Sequence, residues 1–313
     1  MPVHPEAEQL LALLAEAGAP PFEELTVPAA RAATQGFLEL QGEPGAVAAV
    51  TNRTVPGPLG EIPVRVYTPT RSSASGPTPV VVYFHGGGWV IGDLGVVDNP
   101  CRRLAAATGA VVVSVDYRLA PEHRYPAAFD DCFAATSWAA EHAGELGGDP
   151  SLLAVAGDSA GGNLAAAVAL AARDRGGPAL VAQLLIYPVT DFNFSTDSYR
   201  DNAEGYLLTK ASMQWFWAHY LGAQELADDP YACPARAGDL AGLPPAYVAT
   251  CEYDPLRDEG EAYAQRLAEA GVKVTAKRFD GMLHGFLWMA GVIPSGLGIY
   301  DDLVAVLQQA TGR

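Results

Sequence analysis

A serine lies at the centre of the segment Gly157-Asp158-Ser159-Ala160-Gly161, which fits the pattern G-x-S-x-G. The segment directly follows an apolar, strand-like run and opens a stretch with helical periodicity. A sharp turn between a strand and a helix strains the backbone of the serine, and flanking glycines remove the side chains that would collide there. We therefore predict that Ser159 is a nucleophile. A phosphate-binding turn is disfavoured because the pattern G-x-x-x-x-G-K-[ST] is absent.

Consecutive glycines follow another strand-like run, in a segment that begins at His85. Without side chains, their backbone N–H groups can approach a substrate oxygen closely. We predict that Gly87 and Gly88, together with the amide of Ala160 after the serine, donate to a developing oxyanion. Gly86 then serves to turn the chain. For His85, a hydrogen bond that fixes the loop is favoured over proton transfer.

A nucleophilic serine needs a histidine that accepts its proton. The sequence has six histidines, and His284 is the one that follows the last strand signal. A loop at that point lies at the carboxyl edge of a parallel sheet, where the base must be. The other histidines lie in the terminal tail, the glycine segment, a proline-rich segment or helices. We predict that His284 is the base.

The histidine in turn needs a carboxylate that fixes its tautomer. Asp254 comes immediately after an apolar, strand-like run. The order Ser159, Asp254, His284 along the chain is the order found in α/β hydrolases. Asp258 competes, but it lies one turn into the next helix, where stabilisation of the helix N-terminus is the favoured role. Glu252 is expected to remain within the end of the strand. We predict Asp254 as the acid.

Strands and helices alternate along the chain and must position these residues. Continuous apolar runs indicate strands buried on both faces, as in a parallel sheet, at 79–84, 110–115, 152–156, 181–187 and 246–250. An alternating run at 272–279 indicates an edge strand, and alternating runs near 47–54 and 62–68 indicate an antiparallel edge pair. Helical patterns lie at 97–108, 126–143, 161–175, 256–270 and 297–311. This alternation predicts an α/β fold, with a mostly parallel eight-stranded sheet flanked by helices.

Two regions interrupt the alternation. We expect residues 1–45 and 190–237 to form a helical cap over the carboxyl ends of the strands, where ligands bind in such sheets. Residues 46–189 and 238–313 then form the catalytic domain. Most of the many aromatic side chains of the second cap segment are expected to be core. The aromatic residues predicted to line a substrate pocket are Trp89, Tyr206, Trp215 and Phe216. For Trp89, simple packing against its neighbours is an equally favoured alternative.

Composition excludes several classes of partner. The net charge of −17 argues against nucleic acid and anionic membrane surfaces. The four cysteines form no C-x-x-C pair, so neither a zinc site nor a disulfide framework is expected.

The longest apolar run considered, 164–172, is too short to span a bilayer, and the acidic N-terminus is unlike a signal peptide. We expect a cytoplasmic protein without a metal or a cofactor, and a surface turn at 71–78.

From about residue 60 to 310 the chain resembles the hormone-sensitive-lipase-like family of serine esterases. The resemblance implies an α/β-hydrolase fold with an N-terminal cap, and cofactor-free hydrolysis of carboxylic esters. It supports Asp254 as the acid and implies that Glu122 braces the active-site loops by hydrogen bonds. The motifs that carry the resemblance are HGGGW at 85–89, YRLAPEHRYPAAFDD at 117–131, GDSAGGNLAA at 157–166, DPLRDEG at 254–260 and HGF at 284–286.

The leading hypothesis is a serine carboxylesterase that hydrolyses short- to medium-chain acyl or aryl esters through an acyl-enzyme. An amide or N-acetyl deacylase would use the same residues on a poorer leaving group, and the sequence does not separate the two. A receptor that binds a small ligand without hydrolysing it is disfavoured, since such relatives of the fold lose a member of the triad. The expected partner is a small ester; the oligomeric state does not follow from the sequence.

Overall fold

An eight-stranded sheet forms the centre of the structure. The structure is a computed structural model, and it describes residues 2–70, 77–222 and 224–312. Its strands are β1 (Ala49–Gly57), β2 (Gly60–Thr68), β3 (Val80–Phe84), β4 (Val111–Val115), β5 (Leu153–Asp158), β6 (Ala182–Ile186), β7 (Ala246–Tyr253) and β8 (Val274–Leu283). They are ordered β1-β2-β4-β3-β5-β6-β7-β8. β2 pairs antiparallel with β1 and β4, and all other pairs are parallel. The predicted fold class and the antiparallel edge pair are confirmed. The predicted turn at 71–78 lies mostly outside the described residues.

Helices cover both faces of the sheet. The helices are α1 (Pro5–Ala17), α2 (Val27–Thr34), α3 (Asp98–Thr108), α4 (Ala127–His142), α5 (Ala160–Arg175), α6 (Asp197–Asp201), α7 (Lys210–Leu221), α8 (Arg257–Glu269) and α9 (Ile299–Thr311). Buried side chains form two clusters, one with α4, α5 and α8 and the other with α3 and α9. All residues of β3 and β4 are buried, which explains their continuous apolar sequence. Within the described ranges, no helix is both long and apolar enough to cross a membrane.

Small side chains let α5 pack closely beneath the sheet. Every residue from Ala160 to Ala172 on this helix is buried. A Cβ atom at Gly161 would overlap the carbonyl oxygen of Phe84 on the neighbouring strand β3. The glycine therefore allows the N-terminus of α5 to lie directly against the end of β3. This contact brings the turn after β5 next to the loop after β3.

The two predicted cap segments pack against each other. The rings of Phe22, which precedes α2, and Phe216, in α7, have centroids 5.6 Å apart. The Thr209 hydroxyl at the start of α7 donates to Glu23 at 2.9 Å, and the Ser212 hydroxyl also donates to this carboxylate. An apolar and a polar contact thus join chain segments that are far apart in sequence.

Candidate active site

Ser159 occupies a strained turn between β5 and α5. Its backbone has φ 57° and ψ −120°, and a positive φ is unusual for a residue with a side chain. Its N–H donates to the Ile186 carbonyl at 2.9 Å, and its own carbonyl accepts the Asn163 N–H at 3.0 Å. A Cβ atom at Gly157 would overlap the carbonyl oxygen of Gly161. Both glycines of the motif are therefore required for the turn that presents the serine hydroxyl.

His284 lies between Ser159 and Asp254. Its Nε2 atom is 2.9 Å from the Ser159 hydroxyl, and its Nδ1 atom is 2.7 Å from Asp254 Oδ2. The Asp254 side chain is fully buried, and its other oxygen accepts the Leu256 N–H at 2.8 Å. The three side chains predicted from the sequence thus form one chain of hydrogen bonds. The imidazole can take the serine proton at one nitrogen while the carboxylate fixes its other nitrogen.

The competing carboxylates contact other groups. Asp258 accepts the Ser198 N–H of α6 at 2.7 Å and pairs with the Arg257 guanidinium at 2.8 Å. Glu252 lies near the end of β7 and accepts the Gly281 N–H at 2.7 Å. Asp258 therefore ties the second cap segment to α8, in addition to lying in the first turn of that helix.

The glycine loop faces the same cavity as Ser159. Gly87 and Gly88 have φ angles of 106° and 56°, which favour glycine. A Cβ atom at Gly88 would overlap the Phe216 ring, and one at Gly87 would overlap the Ile91 carbonyl. The close packing explains why side chains are absent here. The donor roles of Gly87, Gly88 and Ala160 stay a prediction.

His85 fixes the start of this loop. The side chain is fully buried, its Nδ1 atom lies 2.7 Å from the Gly86 carbonyl oxygen, and the Tyr117 hydroxyl donates to the His85 carbonyl at 2.7 Å. Burial lowers the pKa of His85 to about 4, because the charged imidazolium would be desolvated. A neutral, hydrogen-bonded ring agrees with the predicted structural role.

Asp158 joins the serine turn to the glycine loop, a contact that the sequence analysis missed. Its Oδ1 atom accepts the Tyr83 hydroxyl at 2.5 Å and the Gly86 N–H at 3.0 Å. Burial raises the pKa of Asp158 to about 6, although both hydrogen bonds oppose this shift. The signal was present in the sequence, since a carboxylate next to the nucleophile in a buried turn requires a partner.

The cavity at Ser159 is small, about 70 Å³, and mainly apolar. Of the four predicted aromatic residues, Phe216 lines it. The other three pack against neighbouring rings, and a role for them in the substrate pocket stays a prediction. Trp89 is fully buried against Tyr220, with ring centroids 4.1 Å apart. Tyr206 packs on Tyr253 at 4.8 Å, and Trp215 on His219 at 4.4 Å. Besides Phe216, the apolar walls are formed by Phe22, Phe37, Ile91, Leu207, Leu208, Met213, Trp288 and Met289.

Glu122 is joined to the loops through Arg31, which the sequence analysis did not single out. The Arg31 guanidinium donates to both Glu122 oxygens and to the carbonyls of Val90 and Ala120. The hydrogen bonds from Arg31 lower the pKa of Glu122 to about 2. The brace implied by the family resemblance therefore runs from Glu122 to the first cap segment and, through Arg31, to the end of the glycine loop.

In the part of the chain that the structure describes, no group of three or more His, Cys, Asp or Glu side chains could hold a metal ion. All four cysteines are free and buried.

Known proteins with similar sequences and structures provide a comparison. A family model described as alpha/beta hydrolase fold matches residues 81–288. The chain is 48% identical over 247 residues to the esterase LipI of Mycobacterium tuberculosis, covering 79% of this chain and 77% of the relative. It is 47% identical over 255 residues to the carboxylesterase NlhH of that organism, covering 80% and 79%. A solved ester-hydrolase from the metagenome of Lake Arreo, complexed with a derivative of bipyridine phosphonate, matches with TM-score 0.94 and 42% identity, covering 99% of this chain and 100% of that chain.

Proposed function

Because the chain belongs to the hormone-sensitive-lipase-like family of α/β hydrolases and is a serine carboxylesterase, we propose that it cleaves short- to medium-chain acyl or aryl esters through an acyl-enzyme. The observation that carries this proposal is the hydrogen-bonded series Ser159, His284 and Asp254 at the wall of an apolar cavity. A small ester is the substrate class that this combination fits, since the cavity accepts an apolar group and the hydroxyl attacks a carbonyl.

In the first half-reaction the Ser159 hydroxyl oxygen attacks the ester carbonyl carbon while His284 Nε2 accepts the hydroxyl proton. The Asp254 carboxylate holds the imidazole and stabilises its charged form. The N–H groups of Gly87, Gly88 and Ala160 donate to the oxyanion. The C–O bond to the alcohol then breaks, His284 returns the proton to the leaving oxygen, and the acyl group remains on Ser159.

In the second half-reaction water takes the place of the alcohol. His284 accepts a proton from the water, whose oxygen attacks the acyl carbonyl carbon. The bond to Ser159 breaks, the serine oxygen regains its proton from the imidazole, and the carboxylic acid leaves. The residues act in the same roles in both halves, so no cofactor takes part in the proposed cycle.

The cap is the second part of the proposal. Residues 1–45 and 190–237 act as one cap, and residues 46–189 and 238–313 act as the catalytic domain. This division is supported by the walls of the cavity, where Phe22 and Phe216 from the two cap segments face the Ser159 side. The cap therefore sets the size of the group that fits beside the nucleophile.

The protein is proposed to act in the cytoplasm on small molecules, without a nucleic acid or membrane partner. The net charge of −17 supports the exclusion of anionic polymers and surfaces. The four buried free thiols are typical of a reducing compartment.

The test is covalent labelling with an alkyl fluorophosphonate, followed by peptide mass spectrometry and ester assays. We expect one adduct on Ser159. Ser159→Ala should lose roughly 10⁴- to 10⁶-fold in turnover while it remains folded. Ser195→Ala, at an exposed serine of the same chain, is the control and should keep the wild-type rate. An adduct elsewhere, or a Ser159→Ala enzyme with a tenth of the activity, would contradict the proposal. p-Nitroanilide analogues distinguish amide cleavage from ester cleavage.

A further inference from the structure

The second cap segment contacts the chain around Asp254 through two buried polar side chains. Ser198 lies in α6 and Asn202 follows it, with 0% and 4% of their surface exposed. We call residues 252–258, which end β7 and begin α8, the acid loop. The Asn202 side-chain amide donates to the backbone carbonyls of Glu252 at 3.3 Å and Asp254 at 3.2 Å. One amide thus holds the chain immediately before and at the catalytic carboxylate.

Ser198 holds the other side of the acid loop. Its hydroxyl donates to the Pro255 carbonyl at 2.6 Å and accepts the Asp258 N–H at 3.2 Å. The Ser198 N–H donates to the Asp258 carboxylate at 2.7 Å. Buried backbone carbonyls need hydrogen-bond donors. The cap segment supplies these donors on both sides of Asp254.

The position of Asp254 matters because its carboxylate makes two hydrogen bonds at the same time. One oxygen lies 2.7 Å from His284 Nδ1, and the other accepts the Leu256 N–H at 2.8 Å. A small displacement of the acid loop would lengthen the contact with the imidazole. Since catalytic groups lose rate steeply when they move from their productive geometry, the donors that hold this loop affect the chemistry itself.

We infer that Asn202 is a positioning residue that acts through Asp254, with Ser198 as its partner. The cap then does more than line the cavity: it holds the catalytic acid in place. This inference rests on the proposed function, because it requires Asp254 to be the acid. Neither Asn202 nor Ser198 is among the side chains that line the cavity at Ser159.

The test compares Asn202→Ala with wild type on p-nitrophenyl butyrate over a range of pH. We expect kcat to fall roughly 10- to 100-fold, with KM little changed, because the substrate contacts remain. The acid limb of the kcat/KM profile should move to lower pH, since a displaced Asp254 stabilises the protonated imidazole less. A residue that only supports the fold would lower the melting temperature but leave the kcat of folded enzyme and the acid limb unchanged, which would overturn the inference.

Two further variants complete the test, one as a control and one as an alternative to Asn202→Ala. Arg200→Ala changes a residue of α6 whose guanidinium is 67% exposed and pairs with Asp197 and Asp201, and it should keep the wild-type profile. If Asn202→Ala does not fold, Ser198→Ala removes a single hydroxyl and should change kcat and the acid limb in the same direction. A folded Ser198→Ala enzyme with the wild-type kcat and profile would then contradict the inference.

The decisive measurement places Asn202→Ala in an Asp254→Asn background. If Asn202 acts through Asp254, the second substitution should lower the residual kcat by less than about twofold. If Asn202→Ala lowers kcat by the same factor in that background as in wild type, Asn202 acts through a group other than Asp254. If Asp254→Asn alone keeps the wild-type rate, the proposed acid is wrong. If Asp254→Asn is inactive and Asn202→Ala behaves as wild type, only the positioning inference fails.

Discussion

Arg31 and Glu122 lie 91 positions apart, and the Arg31 guanidinium donates to both carboxylate oxygens of Glu122, at 2.9 and 2.7 Å. The same guanidinium donates to the carbonyl oxygens of Val90 at 2.9 Å and Ala120 at 3.0 Å. Val90 in turn donates its N–H to the Gly87 carbonyl at 3.0 Å. One side chain of the first cap segment thus holds two loops of the sheet, one of which carries the proposed oxyanion donors.

Arg31→Met should be more damaging than Glu122→Gln. Because the ion pair is partly exposed, Glu122→Gln should lower the free energy of unfolding by less than about 1 kcal/mol. Arg31→Met also deprives two carbonyls of their donor and should lower it by about 1–3 kcal/mol, together with kcat. Urea denaturation and ester assays measure both effects. Equal, small losses for the two variants would show that the contacts to Val90 and Ala120 contribute nothing.

Gly88→Ala should disable catalysis without unfolding the protein. The new Cβ atom would overlap the Phe216 ring, and the backbone has φ 56°, so the loop must shift away from its position beside Ser159. Loss of an oxyanion donor costs about 10²- to 10³-fold in kcat. Gly144→Ala is the matched control, because a Cβ atom there meets nothing within 4 Å, and it should keep the wild-type kcat. A Gly88→Ala enzyme with wild-type kcat would contradict the predicted role of Gly88 as an oxyanion donor.

Acyl-chain preference should peak at an intermediate length. Each methylene that fits adds about 0.8 kcal/mol of favourable burial, but the small cavity ends at apolar side chains that include Phe216. We expect the highest kcat/KM for p-nitrophenyl esters of about four to eight carbons, and little cleavage of the palmitate. Phe216→Ala should move the optimum to longer chains, whereas Phe133→Ala, on α4 outside the cavity, should not. Faster cleavage of the palmitate than of the butyrate by wild type would refute the short pocket.

Wild type should show a decrease in the free energy of unfolding as pH rises, and Glu259→Gln should abolish this decrease. Glu259 is buried and accepts the N–H groups of Thr190 at 2.7 Å and Asp191 at 3.3 Å. Burial raises the pKa of Glu259 well above its usual value, although the two backbone hydrogen bonds oppose this shift, and the charges of Asp191 and Asp254 add to the rise. Because the pKa is higher in the folded protein than in the unfolded chain, the contribution of Glu259 to the free energy of unfolding is fully present below the unfolded-state pKa. This contribution is lost as pH rises through the folded-state pKa. The neutral glutamine cannot undergo this loss.

The measurement is urea denaturation of both proteins across the pH range. The stability of wild type relative to Glu259→Gln should fall by about 1.4 kcal/mol per pH unit from the unfolded-state pKa upward until the carboxyl group ionises. Glu269→Gln, at an exposed position on the same helix, should follow wild type. Parallel curves for wild type and Glu259→Gln would show that this carboxyl group is not protonated in the folded protein.

Much of the fold and the candidate triad followed from local sequence patterns. Buried parallel strands require continuous apolar runs, and the serine turn requires glycines on both sides, so both leave signals within a few residues of the chain. Ser159 and Asp254 follow continuous apolar runs and His284 follows an alternating run, which placed all three at one edge of the sheet. Their mutual contacts at 2.9 and 2.7 Å agree with that placement.

The walls of the cavity and the contacts of the cap depended on the tertiary structure. The sequence left Trp89 open between lining the pocket and packing, and it did not show that the ring would stack on Tyr220. No local pattern joins Arg31 to Glu122, or Asn202 to the carbonyl of Asp254. Apolar rings are buried equally well against many neighbours, and a hydrogen-bond donor can pair with any acceptor that the fold brings near. The sequence by itself therefore determined the elements and the chemistry, whereas packing alone decided which side chains surround and hold the site.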